Sequence, residues 1–274
     1  MGKENTQPKR LLAGQRTLLG RTMHDIRYDA VNDEFMVTNP FAQAILVYKG
    51  DADGDAAPIR IIQGSKTQLA GAVYSGLDRL EVDPVNNEII VGIGPAIMVF
   101  PRTANGDVAP LRILKGPKTL LRGAQTVVAD PIANVLVAGG NYAGGSSGQM
   151  GDLGAGGGMA TYPRTANGDI PPRTIITGPK TEIVRINQMA LIPSRGWIVA
   201  TQPGAGGEAE PKNTFVGVWH VNDNGDIAPK WKIGGPKTTL KKPRGVTVNL
   251  KDKEIIVADM RTNSVLTFSF PEIF

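Results

Sequence analysis

The chain has 274 residues, of which 41% are hydrophobic and 20% charged, ordinary proportions for a globular protein. Its net charge of +5 is spread without a Lys/Arg block or aromatic-basic interleaving, which argues against nucleic acid as a partner. There is no cysteine, so disulfides, thiolate catalysis and Cys-ligated metals are excluded, and no run reaches the roughly 18 apolar residues of a membrane-spanning helix.

In chain order, the opening Met1–Arg10 has no apolar core and does not read as a signal peptide. A cysteine-free chain suits an oxidising compartment, which favours an exported protein over a cytoplasmic one. Pro8–Gly14 (PKRLLAG) reads as a lone strand. The first full unit then predicts strands at His24–Asp29, Glu34–Asn39, Ala44–Lys49 and Pro58–Gln63. The second places them at Leu77–Asp83, Glu88–Ile93, Ala96–Arg102 and Pro110–Gly116, with Pro84 to Asn87 as a turn. The third has Ala124–Asp130, Asn134–Gly140, Gly158–Arg164 and Pro172–Thr177. The fourth has Ile186–Ile192, Gly196–Gln202, Phe215–Val221 and Pro229–Gly234. The last has only Gly245–Leu250, Glu254–Met260 and Ser264–Phe270. No segment carries a sustained helical period with caps.

A phrase binds these units together. NGDVAPLRILKGPKT at Asn105–Thr119 returns at Asn167–Thr181 and around Asn224–Thr238, with an earlier copy at Asp53–Thr67 and a degraded one at Thr6–Thr17. Such a period marks a repeat architecture. Four-stranded meanders around a ring, with the N-terminal strand completing the sheet of the last unit, predict an all-β, five-bladed β-propeller. The closing glycines are Gly14, Gly64, Gly116, Gly178 and Gly235. A single domain over 1–274 is expected, with blades near 18–64, 65–116, 117–178, 179–235 and 236–274 plus 6–14. Asn105-Gly106 is expected to form a two-residue hairpin.

Pro243–Phe270 resembles an NHL-type propeller repeat through its Pro-x-Gly-Val start, its Ile-x-Val-Ala-Asp second strand and the Asn before its third strand. VFPRTANGD at Val99–Asp107, nearly repeated at Thr161–Asp169, resembles a group of bacterial NHL-like propellers. Six blades are commoner in that family. The resemblance implies a fold and a binding face: the family includes ligand- and protein-binding scaffolds, and related propellers include lactonases and lyases.

In a propeller the first strand of each blade lines the central channel. Aligning the first strands brings His24, Asp78, Gln125, Asn187 and Arg244 to one level, followed by Asp25, Arg79, Thr126, Gln188 and Gly245. Below them Ile26, Leu80, Val127, Met189 and Val246 predict an apolar belt. His24, Asp25, Asp78, Arg79, Gln125, Asn187 and Arg244 are therefore the candidate ligand-binding residues at a polar channel mouth. His24 is also the candidate general base. Two long insertions follow second strands, and loops of such length are commonly functional. One, at 141–158, offers Asn141, Tyr142, Met150 and Asp152; the other, at 201–213, offers Glu208, Glu210 and Lys212 as partner-binding residues.

His220, beside Trp219 in an outer strand, reads as structural. Asp51–Asp55 has the alternating oxygens of a calcium loop but aligns with hairpins elsewhere in the repeat. Lys66, Lys118, Lys180 and Lys237 predict a basic rim suited to an acidic partner. The expected function is a non-enzymatic scaffold that binds a protein or small ligand at the loop-bearing face, with no cofactor. One alternative is a lactonase- or lyase-like enzyme using a divalent cation on Asp25, Asp78 and Asn187. The other is a structural subunit of a surface assembly.

Overall fold

The computed structural model describes residues 7–21, 23–69, 77–142, 157–193, 195–204 and 211–274, except for the side chains of 141 and 142. Its strands fall into five antiparallel sheets. The first holds β1 (Ile26–Asp29), β2 (Glu34–Asn39), β3 (Ala44–Lys49) and β4 (Arg60–Ile62). The second holds β5 (Leu80–Asp83), β6 (Glu88–Ile93), β7 (Ala96–Pro101) and β8 (Arg112–Lys115). The third holds β9 (Leu121–Asp130), β10 (Val135–Tyr142), β11 (Gly157–Pro163) and β12 (Thr174–Thr177). The fourth holds β13 (Met189–Ile192), β14 (Trp197–Gln202), β15 (Phe215–His220) and β16 (Trp231–Gly234). The fifth holds β17 (Pro243–Asn249), β18 (Glu254–Asp259) and β19 (Ser264–Ser269).

Local chemistry explains each blade. Branched and aromatic residues make the short strands, and β6 is buried on both faces. An aspartate ends the first strand of the early blades. Asp29 Oδ1 accepts from the backbone N–H groups of Val31 and Asn32 at 3.0 and 3.1 Å. Asp130 accepts likewise from Ile132 and Ala133 at 2.8 and 2.9 Å. These Asx turns reverse the chain at a fixed point and set the register of the second strand.

Blades stack face to face. β1 packs on β5, β5 on β9, β9 on β13 and β13 on β17, so the first strands gather around one axis. Met36, Ile45 and Val47 of the first blade meet Leu80, Ile89 and Phe100 of the second in one buried cluster. Each such side chain contributes about 1.5–3 kcal/mol when removed from water. The third strands repeat a large fully buried side chain, Tyr48, Phe100, Tyr162 and Trp219. The chain is a five-bladed β-propeller.

A polar clamp crosses two of the junctions. Glu34 takes Arg60 of its own blade and Arg102 of the next, the closest approaches being 2.6 and 2.7 Å. Glu88 takes Arg112 and Arg164 in the same way, each at 2.6 Å. Farther along, Trp197, Trp231 and Phe270 replace the clamp with edge-on ring contacts at 4.9 and 6.0 Å.

Three expectations are corrected. Asn-Gly-Asp is not a two-residue hairpin. β7 ends at Pro101 and β8 begins at Arg112, and within that loop Gly106, with φ +77°, turns its backbone toward the preceding blade. Gly106 accepts from Gln63 N at 3.2 Å and donates to Ile61 O at 2.6 Å. Asn105 Oδ1 accepts from Ile61 N at 3.0 Å, and Asp107 Oδ1 from Lys66 N at 2.6 Å. The phrase is a stitch between blades, repeated where Asn167 and Asp169 hold Ile113 and Lys118.

The calcium-like run does the same work, since Asp53 and Asp55 each accept a backbone N–H from the N-terminal segment, of Leu11 and Arg16.

The second correction concerns closure. Among the described residues the fifth sheet contains three hydrogen-bonded strands, and Pro8–Gly14 is not paired with β19. Its bonds go the other way. Ala13 N donates to Gly54 O at 2.9 Å, Gly54 N donates to Leu11 O at 3.0 Å, and Tyr48 Oη donates to Thr17 O, as Tyr162 does to Thr119. The segment thus holds a fourth-strand position against the first blade alone. Deleting residues 1–14 is expected to remove roughly 3–5 kcal/mol, from Leu12 burial and the stitching bonds. Hydrogen exchange should show protection lost at Gly54 and the first blade and kept in blades two to four. Third, Ile26 is not part of an apolar belt. It is 62% exposed, while Leu80, Val127, Met189 and Val246 are buried. Ile26 faces the unfilled seam between the first and fifth blades.

Candidate functional site

The sheet register places the mouth and both insertions together. Asn141 pairs with Gly123 and Gly139 with Thr126, so β10 ends beside the start of β9, where the 143–156 segment departs. Gln202 at the end of β14 accepts from Arg185 N at 2.9 Å, which ties the second insertion's root to the same rim. Of the proposed loop residues, Met150, Asp152, Glu208 and Glu210 lie outside the described residues, Asn141 and Tyr142 are described as backbone, and Lys212 is exposed.

Five of the seven predicted mouth residues are joined by direct contacts. His24 Nδ1 lies 2.7 Å from Asp78 Oδ1. Arg79 Nη1 donates to the His24 carbonyl, and Nε donates to the Asn187 carbonyl at 3.3 Å. The Asn187 amide oxygen accepts from Arg79 Nη2 at 3.2 Å, and its nitrogen donates to the Arg244 carbonyl at 3.3 Å. Asp25 belongs to the layer beneath: its Oδ1 accepts from Gln188 Nε2 at 2.8 Å and its Oδ2 from Leu80 N at 3.1 Å. Gln125 stands apart, in the irregularity of register between Gly139 and Gly140, and makes none of these contacts.

Charge at this mouth is unbalanced. Burial pushes the Asp78 carboxyl up, but the His24 hydrogen bond and the Arg79, His24 and Arg185 charges outweigh it, and the pKa is lowered. Arg244 is lowered by burial and by Arg79, against Asp78. Arg185 is lowered by burial, by Arg244 and by Arg79, again against Asp78. Three guanidinium groups thus stand near Asp78, with Arg79 also acting on Asp25. Arg244 is the extra residue at a bulge, between Pro243 and Gly245 in register. Bulges commonly re-aim a side chain next to a site.

Alignment missed Arg185, Arg27 and Glu81. Arg27 donates from Nε to Leu80 O at 2.9 Å and from Nη2 to Met189 O at 3.5 Å, and so plugs the axis below the mouth. Burial opposes its charge, but Glu81 and Asp25 outweigh burial and raise its pKa. The signal was present: a charged pair, Arg27 and Glu81, where the other first strands have Val128, Ala190 and Thr247.

A cavity of about 1200 Å³ opens from the mouth into the seam between the first and fifth blades. His24, Arg79 and Arg244 stand at its polar part, while Leu12, Met23 and Val265 belong to its apolar part. Elsewhere on the surface, Lys66, Lys118, Lys180 and Lys237 are exposed. His220 packs edge-on against Trp197 at 5.0 Å and its Nδ1 accepts from Asn222 N.

No protein-family model and no curated protein matches this sequence. Solved structures do match in fold. The WD40 β-propeller domain of Doa1 is similar with a TM-score of 0.52 at 13% identity, over 92% of this chain and 70% of that one. Hydrazine synthase of Kuenenia stuttgartiensis is similar with a TM-score of 0.58 at 8% identity, over 92% of this chain and 58% of that one. The fold is that of a β-propeller. This chain spans less than two thirds of the hydrazine synthase chain, and at such identities the likeness shows the architecture alone.

Proposed function

We propose that the chain is a non-enzymatic binding propeller of the NHL-like kind, which receives its ligand or protein partner on the face that carries the mouth and both insertions. The carrying observation is convergence: side chains of blades one, two and four and the Arg244 carbonyl of blade five meet at one rim, beside the roots of both insertions. The arrangement favours binding over a cation-assisted reaction. Asp78 is engaged by His24 and lies 3.5 Å from Arg79, and Asp25 lies 3.6 Å from Arg27. Neighbouring positive charge disfavours a cation on these carboxylates.

The test is a deletion of 144–157. Partner capture by the purified protein should be lost while the melting temperature is kept. Retained capture would count against the loop-bearing face. The enzymatic alternative is tested by melting with calcium or zinc. An ion-dependent rise that disappears in Asp78→Ala would overturn the binding-only reading, because a ligand of the native state must stabilise it.

A further inference from the structure

We propose that the mouth and seam form one binding site for a hydrophobic organic anion, a carboxylate with an apolar body, with Arg244 as the residue that takes the carboxylate. The proposal rests on the binding-propeller reading above and names its ligand class. Arg79 spends its guanidinium on protein oxygens, those of His24 and Asn187. Arg244 does not. Its side chain lines the cavity and donates no hydrogen bond to another described residue. Arg185 Nε is buried with no hydrogen-bond partner among the described residues. A buried donor without a partner is costly, and a guanidinium fork matches a carboxylate in two parallel bonds. An anion here would pair with the Arg244 guanidinium and offset the crowding of three positive groups.

The rest of the cavity sets the remainder of the ligand. Beyond Arg244 its apolar lining is Leu12, Leu19, Met23, Val246 and Val265, while Asp25, Arg27, Glu81 and Gln188 line its floor. Some of this apolar surface is open to water, since Leu12, Leu19 and Met23 are only partly buried and Val265 is 71% exposed. A ligand with a charged head at the mouth and an apolar body in the seam covers both features at once. Apolar pockets with a few placed polar groups are the usual form of small-molecule sites.

Calorimetric titration with three probes at matched ionic strength tests this: 3-phenylpropionate, acetate and 3-phenylpropanol. The acid should bind saturably and at least tenfold more tightly than either the head or the body alone. Arg244→Gln should abolish that advantage. The same substitution should leave the unliganded protein as stable as before, or more so, because it relieves repulsion from Arg79 and Arg185. The proposal is overturned if 3-phenylpropionate binds no better than 3-phenylpropanol, if its binding survives Arg244→Gln, or if Arg244→Gln unfolds the free protein. Any of these results leaves the loop-deletion capture experiment to decide the broader reading by itself.

Discussion

Gly140→Ala is expected to be among the most damaging single substitutions in this chain. Gly140 has φ +159° and pairs with Ala124 beyond the register shift of β9 against β10. A Cβ there would lie 1.8 Å from the Gly123 carbonyl oxygen and 3.0 Å from its carbon. The obstacle is backbone in a neighbouring strand, so no side-chain rotation can relieve it. Either the ladder separates or the strand shifts register, and a cost of about 3 kcal/mol or more is expected. That is a large part of a typical 5–15 kcal/mol stability. Urea unfolding measures it directly. A loss below about 1 kcal/mol would mean the bulge is not built as described. Damage should concentrate in the third blade and at the root of the long insertion.

Glu88→Ala is the second large effect expected. Glu88 is buried, and its two oxygens serve Arg112 at 2.6 and 2.7 Å and Arg164 at 2.6 Å. Removing it leaves two guanidinium groups facing each other across a blade junction without their shared partner. Loss of one member of a buried pair costs about 3–5 kcal/mol. The pH dependence has a definite sign. Burial pushes the Glu88 carboxyl up, but the two arginines outweigh it and hold the pKa below its ordinary 4.5. A lowered folded-state pKa stabilises above the ordinary value, and the stabilisation is lost as pH falls through the folded one. The gap between wild type and Glu88→Ala should therefore be full at neutral pH and narrow below about pH 4.5. A gap that stays constant into acid would show that Glu88 acts through packing alone.

The blades were legible because a repeat reports the same decision several times. Strand alternation recurred in every unit, and the Asp turns and the Asn-Gly-Asp phrase in several, so even the truncated last unit was placed. The work of the phrase was not legible. Asn105-Gly106 has the local chemistry of a hairpin, and only the neighbouring blade reveals that Gly106 bonds across a junction. The mouth was half legible. Alignment gives height along the axis, which found His24, Asp78, Arg79, Asn187 and Arg244. It does not say which long side chains lean across that axis, which is why Arg27 and Arg185 were missed. Gln125 has the right height but sits where the ladder loses register.

The unfilled flank of the fifth blade has a consequence for how the protein behaves in concentrated solution. β19 is uncharged and free of proline, SVLTFS, and among the described residues it is the edge strand of its sheet. Natural edges are usually guarded by lysine, proline or a covering loop. Here the same molecule also carries a fourth-strand segment, Pro8–Gly14, that is bonded to its own first blade and not to β19. One copy's segment can therefore add to another copy's edge, and the pair so formed still presents one free segment and one free edge. Contacts of this kind join head to tail and do not close on themselves. Association would produce growing chains rather than a dimer of fixed size.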